Sequence, residues 1–152
     1  MEQVIQWKQG FFKRNITILI NQEPVGEIAP STWSYKLKAN INDTALLFTV
    51  KGLFRHQIIL SNPETQAQLG SVSFNFWHSK ATITMISGKV YQWQYTNFWN
   101  TYWELTGHDN TRILYHGYSS KGELIIKKGD HLLALIGLII PVYLHESKES
   151  AE

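Results

Sequence analysis

Six histidines, His56, His78, His108, His116, His131 and His145, are the side chains with the widest chemical reach in this sequence. None stands in a His-x-x-x-His or His-Glu pair, so no short segment offers two ligands to one metal ion. Carboxylates are sparse and separate. Asp43 and Asp109 stand in turn sequences, where Asp accepts hydrogen bonds from the local backbone. Asp130 precedes an apolar run and reads as a helix N-cap. Glu104, in Trp103-Glu104-Leu105, faces away from its apolar neighbours and towards water. No two acids suggest the pair of a glycosidase or protease. Gly70-Ser71-Val72-Ser73-Phe74 lacks the second glycine of a nucleophile elbow, and the glycines form no phosphate-cradling loop. With no cysteine, thiol chemistry and disulfides are excluded. These residues point away from catalysis and call for no metal or cofactor.

Residues suited to binding are easier to find. Lys36 and Lys38 lie two apart on one face of an alternating segment, about 7 Å from each other if it is a strand. Lys13-Arg14 and Lys127-Lys128 are adjacent pairs near expected strand ends. Several of these together would hold a lipid phosphate or another anion. Tyr91, Trp93 and Tyr95 alternate with Val90, Gln92 and Gln94, which turns the three rings to the core and the glutamines to water. Phe98-Trp99 falls between two strands and is the aromatic pair expected at the surface, as a place for stacking or docking.

The elements that must position these residues are mostly strands. The chain has 152 residues, enough for one domain that folds without staples. Aromatics make up 13% of it and charged residues only 17%, a balance that favours packed, pleated surfaces. Period-two alternation recurs to about residue 126, in segments such as Tyr35 to Ile41, Val72 to Phe76 and Ile113 to Tyr118. Turn sequences rich in Asn, Asp and Gly separate them, among them Asn21-Gln22-Glu23-Pro24, Asn42-Asp43, Ser87-Gly88 and Gly107-His108-Asp109-Asn110. About twelve short strands result, and a closed antiparallel barrel uses that many without sticky edges. No linker, low-complexity segment or long internal repeat interrupts them.

The pattern then changes. Leu132 to Leu144 reads LLALIGLIIPVYL, thirteen residues without a charge. Ala and Leu favour a helix, expected at about 130–141, with Pro141 ending or kinking it. Such a helix is apolar all round and must be covered all round. It is too short for a bilayer, which takes ~20 apolar residues, but it matches the depth of a small barrel. Residues 146–152 read as a short polar tail, expected to fray.

Many short strands closed by Gly129-Asp130-His131-Leu132-Leu133-Ala134-Leu135-Ile136-Gly137-Leu138-Ile139-Ile140 resemble the tubby C-terminal-like superfamily. That group includes tubby, the phospholipid scramblases and the LURP-one-related proteins. The resemblance implies a twelve-stranded barrel around a central helix, and contact with membrane phospholipid. It carries no individual binding residue onto this sequence.

The sequence therefore predicts a mainly β domain at 1–145, a closed barrel of about twelve strands around a buried C-terminal helix. Its expected role is a non-catalytic binding or scaffold domain, associating with phospholipid head groups or a protein partner from its outer surface. The candidate residues are Lys36, Lys38, Lys127 and Lys128 for phosphate, and Phe98 and Trp99 as exposed aromatics. A carrier barrel for a small apolar ligand, with the helix packed outside, is the second reading; an enzyme of unrecognised type is the third. Fourteen basic against twelve acidic residues, a net charge of +2, give no reason to expect nucleic acid. Met1 to Lys8 lacks the apolar stretch of a secretory signal, so a cytoplasmic location is expected.

Overall fold

The computed structural model describes residues 2–10, 15–30, 36–51, 57–75, 79–118 and 120–150, apart from the side chains of residues 51, 118 and 145–150. Twelve strands follow one another: β1 (Gln3–Gln9), β2 (Ile16–Ile20), β3 (Glu23–Pro30), β4 (Lys36–Ile41), β5 (Thr44–Lys51), β6 (Gln57–Ser61), β7 (Gln68–Phe74), β8 (Lys80–Met85), β9 (Val90–Tyr95), β10 (Tyr102–Gly107), β11 (Arg112–Tyr118) and β12 (Lys121–Lys128). Each pairs antiparallel with its neighbours in sequence, and β1 closes the barrel on β12, from Gln3 opposite Ile126 to Lys8 opposite Lys121. No strand keeps a free edge, which removes the usual template for aggregation.

Alternation decides what each strand turns inward. Ile5 and Trp7, Ile16 and Ile18, Leu37, Ala39 and Ile41, Leu46 and Phe48, and Ile58 and Leu60 are buried, while their neighbours are exposed or half-buried. Val4 and Gln6 face out around buried Ile5, and pairing to β12 takes up Gln3 to Lys8.

The strand order gives the barrel two unlike ends. The hairpins β2–β3, β4–β5, β6–β7, β8–β9 and β10–β11 turn at one end, with a tight turn at Asn21 and Gln22 (φ 52° and 68°) and Asn42 at φ 51°. Two successive positive φ angles twist a hairpin to match its strands. Here too, after Gly129 and Asp130, helix α1 (His131–Ser150) begins. Asp130 caps it, its carboxylate accepting from the Leu133 N–H at 2.9 Å. We call this the entry end and the opposite one the far end.

From there the helix passes through the barrel. Leu133 to Ile136, Leu138 to Ile140, Tyr143 and Leu144 are buried. Strands on opposite walls reach it. His131 Nε2 lies 2.9 Å from Gln3 Oε1 on β1, Tyr115 of β11 donates to the Ala134 carbonyl at 3.0 Å, and Tyr143 packs against Phe48 of β5 and Phe74 of β7 with ring centroids 5.8 and 5.7 Å apart. A helix touching opposite walls lies inside, which excludes the carrier arrangement with the helix packed outside.

The helix does not end at 141. It runs through Pro141 to Ser150, so the segment expected to be a tail from 146 is helical backbone to residue 150. Proline has no N–H for the carbonyl four residues back, here Gly137, and that loss normally breaks a helix. The barrel wall replaces the missing donor. Trp103 Nε1–H donates to the Gly137 carbonyl at 2.9 Å and Trp93 Nε1–H at 3.1 Å. One carbonyl with two lone pairs thus satisfies two buried indoles, and among the described residues no buried side-chain nitrogen or oxygen lacks a partner. Gly137 itself is required by space, since a Cβ there would stand 2.1 Å from the Tyr115 hydroxyl oxygen.

Candidate docking end of the barrel

The two ends differ in the residues that connect the strands. At the entry end the connections are 21–22, 42–43, 62–67, 86–89, 108–111 and 129–130, and none contains an aromatic residue. At the far end every connection but 119–120 does: by sequence 11–14 reads FFKR, 31–35 STWSY, 52–56 GLFRH, 75–79 NFWHS and 96–101 TNFWNT.

Charge divides the same way. Of the carboxylates with described side chains, Glu2, Glu23, Asp43, Glu64, Asp109 and Asp130 belong to the entry end. Glu27, Glu104 and Glu123 lie within strands, Glu104 and Glu123 each two residues in from the far rim. The far rim carries Lys8 near the end of β1 and Lys36, Lys80 and Lys121 as the first residues of β4, β8 and β12, all exposed. Lys8 and Lys121 stand directly across from one another in the β1–β12 pair.

Three basic residues at the entry end have protein partners. Lys127 pairs with Glu2 at 2.5 Å, Lys128 donates to the Asp109 carbonyl, and Arg112 lies 3.9 Å from Glu104. The Thr111 hydroxyl, donating to Asp109 Oδ1 at 2.6 Å, holds that carboxyl below its ordinary range, with Lys128 adding to the effect. The phosphate candidates are therefore not brought together. Lys36 and Lys38 share the outer face of β4, with Lys36 on the far rim, whereas Lys127 and Lys128 end β12 at the entry end, with β1, β2 and β3 between the two strands.

Phe98 and Trp99 form the tip of the β9–β10 connection at the far end, 87% and 78% exposed, with ring centroids 5.2 Å apart and planes at 86°. Asn97 frames this tip. Its Oδ1 accepts from the backbone N–H groups of Thr101 and Tyr102, each at 3.0 Å, and its Nδ2 donates to Thr101 Oγ1 at 2.7 Å. Asn100 adopts the left-handed conformation at φ 57°, and Gly117 N–H donates to the Thr101 carbonyl at 2.8 Å, tying the loop to β11. Beside it, Tyr102 stacks on His116 at 3.9 Å and 6°.

The neighbouring β7–β8 connection uses the same frame. Asn75 Oδ1 accepts from Ser79 N–H at 2.9 Å and Lys80 N–H at 3.0 Å, and its Nδ2 donates to Ser79 Oγ at 3.3 Å. The sequence shows why. Asn75-Phe76-Trp77-His78-Ser79 and Asn97-Phe98-Trp99-Asn100-Thr101 are two copies of one pattern, Asn-Phe-Trp-x-Ser/Thr. The signal was present in the residues, but a five-residue echo confined to two turns escapes a search for long repeats.

Among the described residues no three His, Asp or Glu side chains gather as a metal site would require. Tyr115 bonds to the helix and Tyr95 packs edge to face on Trp93 and Trp103; burial pushes Tyr95 up to about 12 and Tyr115 well above the ordinary phenol range. Both are neutral packing groups at ordinary pH. No helix among the described residues is long and apolar enough to cross a membrane. Compared with known proteins, the sequence matches no family model, and neither curated proteins nor solved structures yield a match.

Proposed function

We propose that the protein is a non-catalytic binding domain that docks the far end of its barrel on anionic phospholipid head groups. The observation that carries this reading is the division of charge. Exposed lysines occupy the far rim, and the carboxylates with described side chains lie at the entry end or within strands, while the last turns of α1 bring the backbone of Glu146, Lys148 and Glu149 to the far end as well. With the helix occupying the barrel axis, binding is directed to the outer surface and the connections. A tubby-like relationship, proposed from the sequence alone, would imply the same ligand class.

Each Lys close to an anionic surface contributes about 1 kcal/mol. Four give about 4 kcal/mol, the order of a millimolar dissociation constant. Binding should therefore be weak, reversible and sensitive to salt. Co-sedimentation with neutral and phosphatidylserine- or phosphoinositide-containing vesicles tests it. Binding should grow with anionic content and fade towards half-molar salt, where the screening length falls to about 4 Å. Absence of binding to anionic vesicles at low salt would overturn the proposal.

A further inference from the structure

We infer that Phe98 and Trp99 are an interfacial anchor that enters the head-group region of the bilayer while the rim lysines hold its surface. The inference rests on the docking reading and adds the element that electrostatics lacks. Four lysines alone leave the protein exchanging freely with solution, and stable attachment to a membrane takes a second, apolar signal. The far end supplies one. Phe98 and Trp99 are almost fully exposed and crossed edge to face. An apolar pair on a surface is commonplace when the loop is free to fold it back. Here the loop is not free. The Asn97 side chain makes three hydrogen bonds across its base, and the Thr101 carbonyl accepts from Gly117 of the next hairpin. The tip is displayed, and its outward direction is fixed before any partner arrives, which lowers the entropy lost on binding.

The frame is built twice, in adjacent hairpins of one rim, around Asn75 and around Asn97. Lys80 links the frames to the charge pattern, because its own N–H is one of the two donors to Asn75 Oδ1 and its side chain is exposed at the rim. Aromatic rings flanked by lysines match the chemistry of the bilayer interface, where indole sits among head groups and ammonium groups meet phosphate. Charge complementarity thus favours an anionic membrane surface over an uncharged apolar partner.

Two variants test the anchor separately from the docking. Phe98→Ser/Trp99→Ser removes it, and Trp99→Phe keeps an aromatic ring while removing one fluorophore. Both should fold as the parent does, since the two rings are exposed. On phosphatidylserine vesicles the double variant should bind roughly ten- to a hundredfold more weakly, and lose its residual binding at a lower salt concentration than the parent. Vesicles with brominated acyl chains should quench the parent's tryptophan emission, and less of it should be quenched in Trp99→Phe although that variant still binds. If the double variant binds with the parent's affinity and salt dependence, the anchor is refuted while docking stands. If the parent itself ignores anionic vesicles at low salt, both are refuted.

Discussion

Replacing Gly137 by Ala sets two physical effects against each other, and the structure decides the sign. In an isolated helix the change would stabilise by about 1 kcal/mol, because Gly loses more conformational freedom than Ala. In the barrel the new Cβ would stand 2.1 Å from the Tyr115 hydroxyl oxygen and 2.6 Å from the ring carbon that carries it. Tyr115 cannot step aside cheaply. It is fully buried, stacked on Trp103 at 5.5 Å and 8°, and its hydroxyl donates to the Ala134 carbonyl at 3.0 Å. Overpacking of this kind costs about 1–3 kcal/mol, and a displaced buried hydroxyl adds about 1–3 kcal/mol. The net loss should be about 2–4 kcal/mol, or a fall in Tm of about 5–15 °C for a chain of this size. Thermal unfolding followed by far- and near-UV circular dichroism reads it. Tyr115→Phe should recover part of the loss in the Gly137→Ala background, with a coupling energy of about 0.5–3 kcal/mol. A Gly137→Ala protein that melts at or above the parent's temperature would refute the seating of the helix against β11.

Three further outcomes follow from the core. Trp93→Phe and Trp103→Phe should each be mild, because the other indole still bonds to Gly137; together they strand that carbonyl at a cost of about 1–3 kcal/mol, and Pro141→Ala should restore part of it by returning the helix donor. The sum of the single-variant melts against the double, with and without Pro141→Ala, checks this. Tyr95 and Tyr115 have folded-state pKa values above the ordinary unfolded value of about 10, so their contribution is complete below pH 10 and is lost as pH rises through about 12, the Tyr95 value; phenolate absorbance near 295 nm should report these two tyrosines ionising only as near-UV dichroism collapses. Leu135→Ala should cost about 2–5 kcal/mol by opening a cavity at a fully buried position of the helix, measured as a lowered denaturant midpoint.

The barrel was legible because each of its determinants is local. Alternation marked the strands, Asn and Gly marked the turns, and Asp130 before an apolar run marked the start of the helix. What misled was non-local. Pro141 predicts a break by every rule of the isolated helix, and the donors that annul it come from Trp93 and Trp103, 44 and 34 residues from Gly137. The lysine pairs looked like one site because adjacent residues in sequence attract attention. In an up-and-down barrel, however, nearness is set by which connections share an end, and Lys36 and Lys128 lie at opposite ends. The same alternation of ends sets the described aromatic connection, 96–101, on the rim that carries Lys36, Lys80 and Lys121. That placement was implicit in the strand count, though not in any single motif.

The central claim is that one end of the barrel, and not its charge as a whole, meets the membrane. The direct measurement compares two charge reversals of equal size on the same anionic vesicles. One is Lys36→Glu/Lys80→Glu/Lys121→Glu on the far rim, the other Lys89→Glu/Lys127→Glu/Lys128→Glu at the entry end, each first shown to be folded by its melt. Vesicle binding should vanish in the far-rim variant and largely survive in the entry-end variant. Equal loss in both, or greater loss from the entry end, would contradict the account.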